Sequence, residues 1–362
     1  ATGGNATATA AAPAQTVTTA GALPNSVVID VLVLYTPGFT ADKGGSAGAQ
    51  TAIDHMLSLS NQAYVDSGVP IVLRKVAADE VNVSDKTNNS AVLNDLTNGA
   101  GAFSGVRARR DAVGADLVTI VRPFWNQYHA SCGVGWIGGY NVSPISGYAN
   151  YAYSVVSDGR DRANTGWYCD ATAFPHELGH NMGLMHDRAT VTSQGGGKGA
   201  TAYAYGYGTS GSFGTVMSYI WPKVGKFSNP RDYTCGGNNP CGVPDTDATR
   251  SADNAKALVY TSANVAGFRA TKTTSPTSTT TLTITGTVTV NGKVLSGVRF
   301  GGASCSISGT NGTYRCSMKP GFSGTITPSY VVSGKATTFT PASRSYSNLQ
   351  DNAVNQNFTG IR

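Results

Sequence analysis

The chain has 362 residues, longer than one ordinary domain, and its composition changes sharply near Lys272, so two domains are expected. Hydrophobic residues at 40% suffice for a core, while charged residues at 13% are about half the usual share and Gly, Ser, Thr and Asn abound, a surface typical of secreted proteins. A net charge of +6 without a basic run gives no footing for nucleic acid, and no stretch reaches the roughly eighteen apolar residues of a membrane helix.

Residues 1–25, rich in Ala, Thr and Gly over Ala1 to Ala22, read as a flexible leader or the remnant of a pro-segment, and the start at Ala1 fits removal of a signal peptide. Val27 to Tyr35, VVIDVLVLY, is an apolar β-branched run suited to a buried central strand. In Ser46 to Asp66, Ala49, Ile53, Met56 and Ala63 recur at helical spacing, with His55 on the polar side and read as solvated. Pro70 to Val76 reads as a second strand, Ser104 to Val113 as a helix and Asp116 to Val121 as a third strand. Arg107, Arg109 and Arg110 are expected on a solvated helix face, and His129 has no assigned role. Cys132 to Tyr140, CGVGWIGGY, reads as an edge strand whose small residues leave the backbone open, so that an extended peptide can add as one more strand. Ala152 to Ser157 is the last strand of this half.

Ala171 to Met182 follows as a helix, with Pro175 tolerated in its first turn, and it carries HELGHNMGLMH from His176 to His186. Residues four apart on a helix share a face, so His176 and His180 can hold one metal ion between them. Gly183 tolerates positive φ, which lets the helix end and the chain swing His186 back as a third ligand. Three neutral nitrogens leave a fourth tetrahedral position open, the pattern of a catalytic zinc site rather than a structural one. Glu177 then lies beside a zinc-activated water, placed to take its proton as general base and to hand it on as general acid.

The full HExxHxxGxxH pattern, joined by the methionine of Thr215-Val216-Met217-Ser218-Tyr219, resembles the metzincin zinc metalloendopeptidases. The resemblance covers most of Val27 to Ala270. It implies His176, His180 and His186 as zinc ligands, Glu177 as catalytic base, and Met217 as the apolar floor of the Met-turn. Tyr219 is similar to the tyrosine of the astacin-like and serralysin-like branches that sits near the metal and assists the transition state. Asp187 after the last histidine is instead similar to the reprolysin-like branch, and is expected to orient the turn by hydrogen bonding. The implied fold is α+β, a twisted mixed five-stranded sheet with helices, whose edge strand aligns substrate antiparallel to itself. Members are made as inhibited zymogens, although no inhibitory cysteine motif is visible near the start.

Within the family the chain looks most like the bacterial reprolysin-like enzymes, including the peptidyl-aspartate group. An Asp preference needs a cationic subsite, for which Lys198, Lys223, Lys226 and Arg231 lie in the appropriate part of the sequence. Phe227 to Pro230 and the loop to Asp247 are expected to wall the primed-side pocket. Gly195 to Gly199 lacks Walker spacing and is a loop. Nothing in the sequence points to calcium.

Ser251 to Arg269 reads as a C-terminal packing helix, Thr271 to Thr281 as a Thr, Ser and Pro linker. Residues 282–362 alternate apolar and polar positions around two hairpin signals, Asn291-Gly292 and Asn311-Gly312. They resemble the carboxypeptidase-regulatory or B-type β-sandwich modules of bacterial secreted proteins, with a cell-surface, glycan or matrix ligand or a spacer role equally in view. Six cysteines allow fifteen pairings, and their grouping favours Cys305 with Cys316, Cys235 with Cys241 and, by remainder, Cys132 with Cys169. The expectation is thus a secreted, monomeric zinc endopeptidase over residues 26–270 with an accessory domain. Its rival is a protease scaffold that has lost activity and binds through its C-terminal module, against which stands the retention of Glu177 and all three histidines.

Overall fold

The computed structural model describes residues 22–272 and most of 282–361. The expectations for residues 1–21 and for the linker from 273 to 281 lie outside the described residues. What is described divides between two compact units, the first ending at Lys272.

The first unit is built on a sheet of β1 (Val27–Tyr35), β2 (Ile71–Glu80), β3 (Leu117–Pro123), β4 (Gly133–Gly135), β5 (Tyr153–Arg160) and β6 (Tyr168–Cys169). Its order is β2-β1-β3-β5-β4, with β6 pairing the end of β5. β1, β2, β3 and β5 run parallel, and β4 and β6 are antiparallel to β5. β1 is buried on both faces from Ile29 onward, as its largely apolar run requires, with the one charge within it, Asp30, paired with Arg74.

Eight helices accompany the sheet: α1 (Pro37–Asp42), α2 (Ser46–Asp66), α3 (Asn89–Asn98), α4 (Val106–Val113), α5 (Asn126–His129), α6 (Ala173–Asn181), α7 (Arg188–Ser193) and α8 (Asn254–Val265). Two cores result. One joins α2, α6 and α8 to one sheet face through Ile53, Leu57, Phe174, Leu178 and Leu258; the other places Val92, Leu93 and Leu96 of α3 with Phe103 on the opposite face. The helix α3, capped by the Asn88 side chain, has no counterpart in the sequence reading; its short apolar face was hidden in a polar stretch.

Several expectations are corrected. The edge strand stops at Gly135, because beyond it the chain is drawn onto the neighbouring helix by Gly138 N–H donating to His180 O. Arg110 is fully buried, its guanidinium donating to the carbonyls of Ala115, Ala149 and Asp116, so it is no part of a solvated face; Arg107 is exposed and donates to Thr97 O, and Arg109, partly exposed, pairs with Asp79. His129 is also fully buried, with Nδ1 at 2.7 Å from Ser157 Oγ and Nε2 at 2.6 Å from Asp85 O. Phe227 and Ser228 lie in the core rather than in a pocket wall; the Phe227 ring stacks on Tyr64 with centroids 5.2 Å apart.

In the second unit one sheet orders the strands 304–307, 313–318, 282–290, 358–361 and 338–340, and a three-stranded sheet holds 299–301, 322–329 and 344–349. Residues of both, among them Ile284, Tyr314, Ile326 and Phe358, share one core. Asn291 and Gly292 both have positive φ, as a two-residue hairpin turn demands, and join Leu282–Val290 to Lys293–Val294. Disulfides join Cys132 to Cys169, Cys235 to Cys241 and Cys305 to Cys316, the pairing their grouping favoured. Among the described residues no helix is long and apolar enough to cross a membrane.

Candidate metal centre

The helix α6 ends where Gly183 takes φ +94, and at that point a Cβ would meet the Cβ of Ala200 at 2.4 Å, so both conformation and space require glycine. The reversal returns the chain as β7 (Met185–Asp187), which pairs with β8 (Tyr205–Gly206) and carries His186 over the helix. The three imidazoles consequently converge: His186 Nε2 lies 3.0 Å from His180 Nε2 and 3.1 Å from His176 Nε2.

The opposite ring nitrogen of each is engaged. His176 Nδ1 donates to Val216 O at 2.9 Å, His180 Nδ1 to Leu184 O at 2.8 Å and His186 Nδ1 to Gln194 Oε1 at 2.9 Å. A neutral imidazole protonated at Nδ1 presents only a lone pair at Nε2. Burial, followed by the charge of neighbouring imidazoles, holds the pKa of His176 well below its usual value and that of His180 at about 3, so neither carries a second proton. Three lone pairs facing one point at these distances repel unless a cation lies between them. The edge of a tetrahedron with zinc–nitrogen bonds of ~2.05 Å is about 3.3 Å, so the donor set fits zinc.

Around this centre the predicted residues take distinct places. Glu177 is buried, its Oε2 has no hydrogen-bond partner, and burial raises its pKa well above the carboxylate range. Such a carboxylate is poised to hold a proton. Met217 is fully buried beneath the helix; a Cβ on Gly179 would come within 2.8 Å of its sulfur, which shows how closely the Met-turn packs on α6. Tyr219 is 53% exposed, with its ring centroid 4.4 Å from that of His186. Asp187 acts as expected on the turn, accepting from Thr190 N, Thr190 Oγ1, Ser218 Oγ and Tyr219 N and so tying the third-ligand strand to the Met-turn. Burial works to raise its pKa, yet these bonds outweigh it and hold the carboxyl below its usual range.

Of the four cations considered for an acidic subsite, Lys226 pairs with Asp232, Arg231 is bidentate to Asp253, and Lys198 is exposed. Lys223 differs: its charge depresses the pKa of both His176 and His186, and burial lowers its own to about 8 against the fields of Asp170 and Asp187.

Sequence reasoning missed three contributors. Gln194 orients His186 from the end of α7. Asn181 donates to both Trp136 O and Tyr153 O at 2.9 Å, fastening the segment after β4 to α6. Gly133 faces Glu177 so closely that a Cβ there would lie 2.5 Å from the carboxylate oxygen. Only the Gly-Val-Gly of the edge strand signalled any of these. Beside that strand a cavity of about 570 Å³ is lined by Gly135, Trp136, Ile137, Tyr140, Tyr148 and Tyr151.

A family model described as metallo-peptidase family M12B, reprolysin-like, matches residues 25–246, more than half of the chain. The chain belongs to this reprolysin-like metallopeptidase family. Among curated relatives of this metallopeptidase, a "Peptidyl-Asp metalloendopeptidase" of Pseudomonas aeruginosa is 31% identical over 272 residues, covering 69% of this chain and 42% of the relative. One of the same name from Stenotrophomonas maltophilia is 29% identical over 247 residues, covering 67% and 52%. The chain thus spans about half the length of the curated relatives it matches. A solved chain from "Structure of a chaperone-substrate complex" shares the fold at TM-score 0.52 and 18% identity, covering 68% of this chain and 35% of that one.

Proposed function

We propose that this metallopeptidase is a secreted, monomeric zinc endopeptidase that hydrolyses internal peptide bonds of proteins, with preference for bonds next to aspartate. The observation that carries this reading is the convergence of three imidazoles, with His186 Nε2 3.0 Å from His180 Nε2 and 3.1 Å from His176 Nε2, beside the buried carboxylate of Glu177. The aspartate preference comes from the names of the relatives, and secretion is supported by three disulfides.

His176, His180 and His186 would hold the ion. When bound, zinc supplies Lewis-acid polarisation of the scissile carbonyl and acidifies water at the site. Glu177 accepts the proton of the attacking water at its unpartnered carboxylate oxygen and delivers it to the departing amine. Tyr219, beside His186, is placed to donate its phenol to the oxyanion as charge develops. The substrate lies extended along the free edge of β4, with the aromatic cavity receiving an apolar side chain on the way. We read residues 26–270 as the catalytic domain, 271–281 as the linker and 282–362 as a β-sandwich accessory module.

The test is Glu177→Gln on the full chain. Zinc content by elemental analysis should remain near one per chain, whereas turnover of casein and of quenched peptides should fall by at least about 10³-fold, to the level left by a zinc chelator. Near-normal turnover in the Gln variant, or a wild-type chain that binds zinc and cleaves no unfolded protein, defeats the reading.

A further inference from the structure

Lys223 is held where an ammonium group lacks a counter-charge. Its backbone is pinned: Gly214 N–H donates to Pro222 O at 2.7 Å and Val224 N–H to Gly214 O at 2.9 Å, so the residue bridges to the strand that leads into the Met-turn. The side chain is half-buried, with Nζ at 3.5 Å from Thr215 O, a carbonyl that also accepts from Ser218 N, and 5.7 Å from the centroid of the Trp221 ring. Among the described residues no carboxylate pairs with it. Asp170 and Asp187 act on it only through their fields, and Asp187 is occupied by four donors from the turn.

A desolvated ammonium with at most one weak acceptor leaves N–H bonds unfilled, a costly state that a carboxylate relieves through a charge-assisted bond. The carbonyl that Lys223 reaches, Thr215 O, directly precedes Val216, whose own carbonyl holds His176 Nδ1, so the ammonium stands on the segment that supports the histidine centre. Of the other cations considered, Lys226 is claimed by Asp232 and Arg231 by Asp253, while Lys198 is exposed to solvent. The Trp221 ring, 56% exposed, flanks the ammonium.

We infer that Lys223 is the specificity-determining residue of this site, its ammonium pairing with the side-chain carboxylate of the substrate residue adjoining the scissile bond. This rests on the endopeptidase reading, and names the group that would confer the preference for aspartate. A free carboxylate at a substrate's C-terminus offers the same chemistry, so peptides are amidated at that end in one arm of the test and left free in the other.

The experiment uses the full chain and a peptide series identical except for Asp, Asn or Glu at the position adjoining the cut. Wild type should favour Asp over Asn by roughly 10- to 100-fold in kcat/KM, the weight of one charge-assisted bond. Lys223→Met should bring that ratio to within about threefold of unity, Lys223→Arg should retain most of it, and Lys223→Glu should turn the preference toward Lys at the same position. An independent readout is peptide affinity, by fluorescence anisotropy, of the zinc-loaded chain carrying Glu177→Gln, with and without Lys223→Met. Selective binding of Asp peptide that vanishes with Lys223→Met upholds the inference even if the wild type cleaves nothing, the result that sinks the endopeptidase reading alone. An Asp to Asn ratio unchanged by Lys223→Met, in turnover or in affinity, overturns the inference and leaves the endopeptidase reading standing. A preference that survives only for peptides with a free C-terminus also overturns it.

Discussion

Gly133→Ala adds one methyl group at the place where the edge strand meets Glu177, the proposed base. A Cβ at this position would lie 2.5 Å from Cγ and from Oε1 of Glu177 and 2.6 Å from Cδ. Carbon contacts settle at about 3.5 Å, so the carboxylate must retreat by roughly 1 Å. Gly133 is not among the glycines with positive φ, so alanine imposes no backbone strain and the effect passes through the side chain. A misplacement of that size costs on the order of 10² in rate, about 2.7 kcal/mol of transition-state stabilisation. Zinc content should be unchanged, because the nearest atoms to the new methyl belong to Glu177 and to none of the imidazoles. The assay is kcat on a quenched peptide with zinc measured on the same sample and a thermal melt to confirm folding. In the double variant Gly133→Ala with Glu177→Gln, turnover should be no lower than with Glu177→Gln alone, since the methyl group acts through a carboxylate already disabled. A wild-type kcat for Gly133→Ala, or a further hundredfold loss in the double variant, refutes this reasoning.

Gln194 supplies the acceptor that fixes His186 with its lone pair toward the metal, so Gln194→Ala should weaken zinc roughly 10- to 100-fold in competition with a chromogenic chelator. Gln194→Glu, which keeps an acceptor, should hold affinity near wild type, and equal affinity in all three chains would remove Gln194 from the site. His129 is pulled to a pKa of about 4, first by burial and then by the charge of Arg122, against 6.5 when unfolded. The folded chain therefore binds fewer protons than the unfolded chain between those values, and the stability from keeping this ring neutral is present above pH 6.5 and lost as pH falls toward 4. Chelator-treated wild type should lose about 2 kcal/mol more than His129→Gln between pH 7 and pH 5 in urea unfolding of the first unit. Parallel pH profiles would show that burial of this ring is not linked to protonation.

The convergence of His176, His180 and His186 was legible because its geometry is local. Two histidines four apart on a helix share a face wherever the helix packs, and a glycine seven residues after the first can only serve to turn the chain back. The hairpin at Asn291-Gly292 was legible for the same reason, since two residues with positive φ in succession demand this pair of side chains. The disulfides were readable as well, two of them spanning 6 and 11 residues and the third left by elimination. Less of the edge strand could be read: small residues from Gly133 to Gly139 all suited a strand, yet only three formed one, because Asn181 and His180 O on α6 captured the rest.

Within its own sequence this chain determined which histidines converge, which turns close, and which strand is central, all matters of spacing over a few residues. Tertiary structure alone decided that Arg110 is buried under three carbonyls, that Phe227 is core, that Gln194 reaches His186, and that Lys223 keeps its charge unpaired while Lys226 and Arg231 do not. A charged or polar side chain takes its role from whatever partner the fold brings within about 4 Å. Those partners lie between 5 and 39 residues away in the chain for these cases, at offsets that no local period encodes.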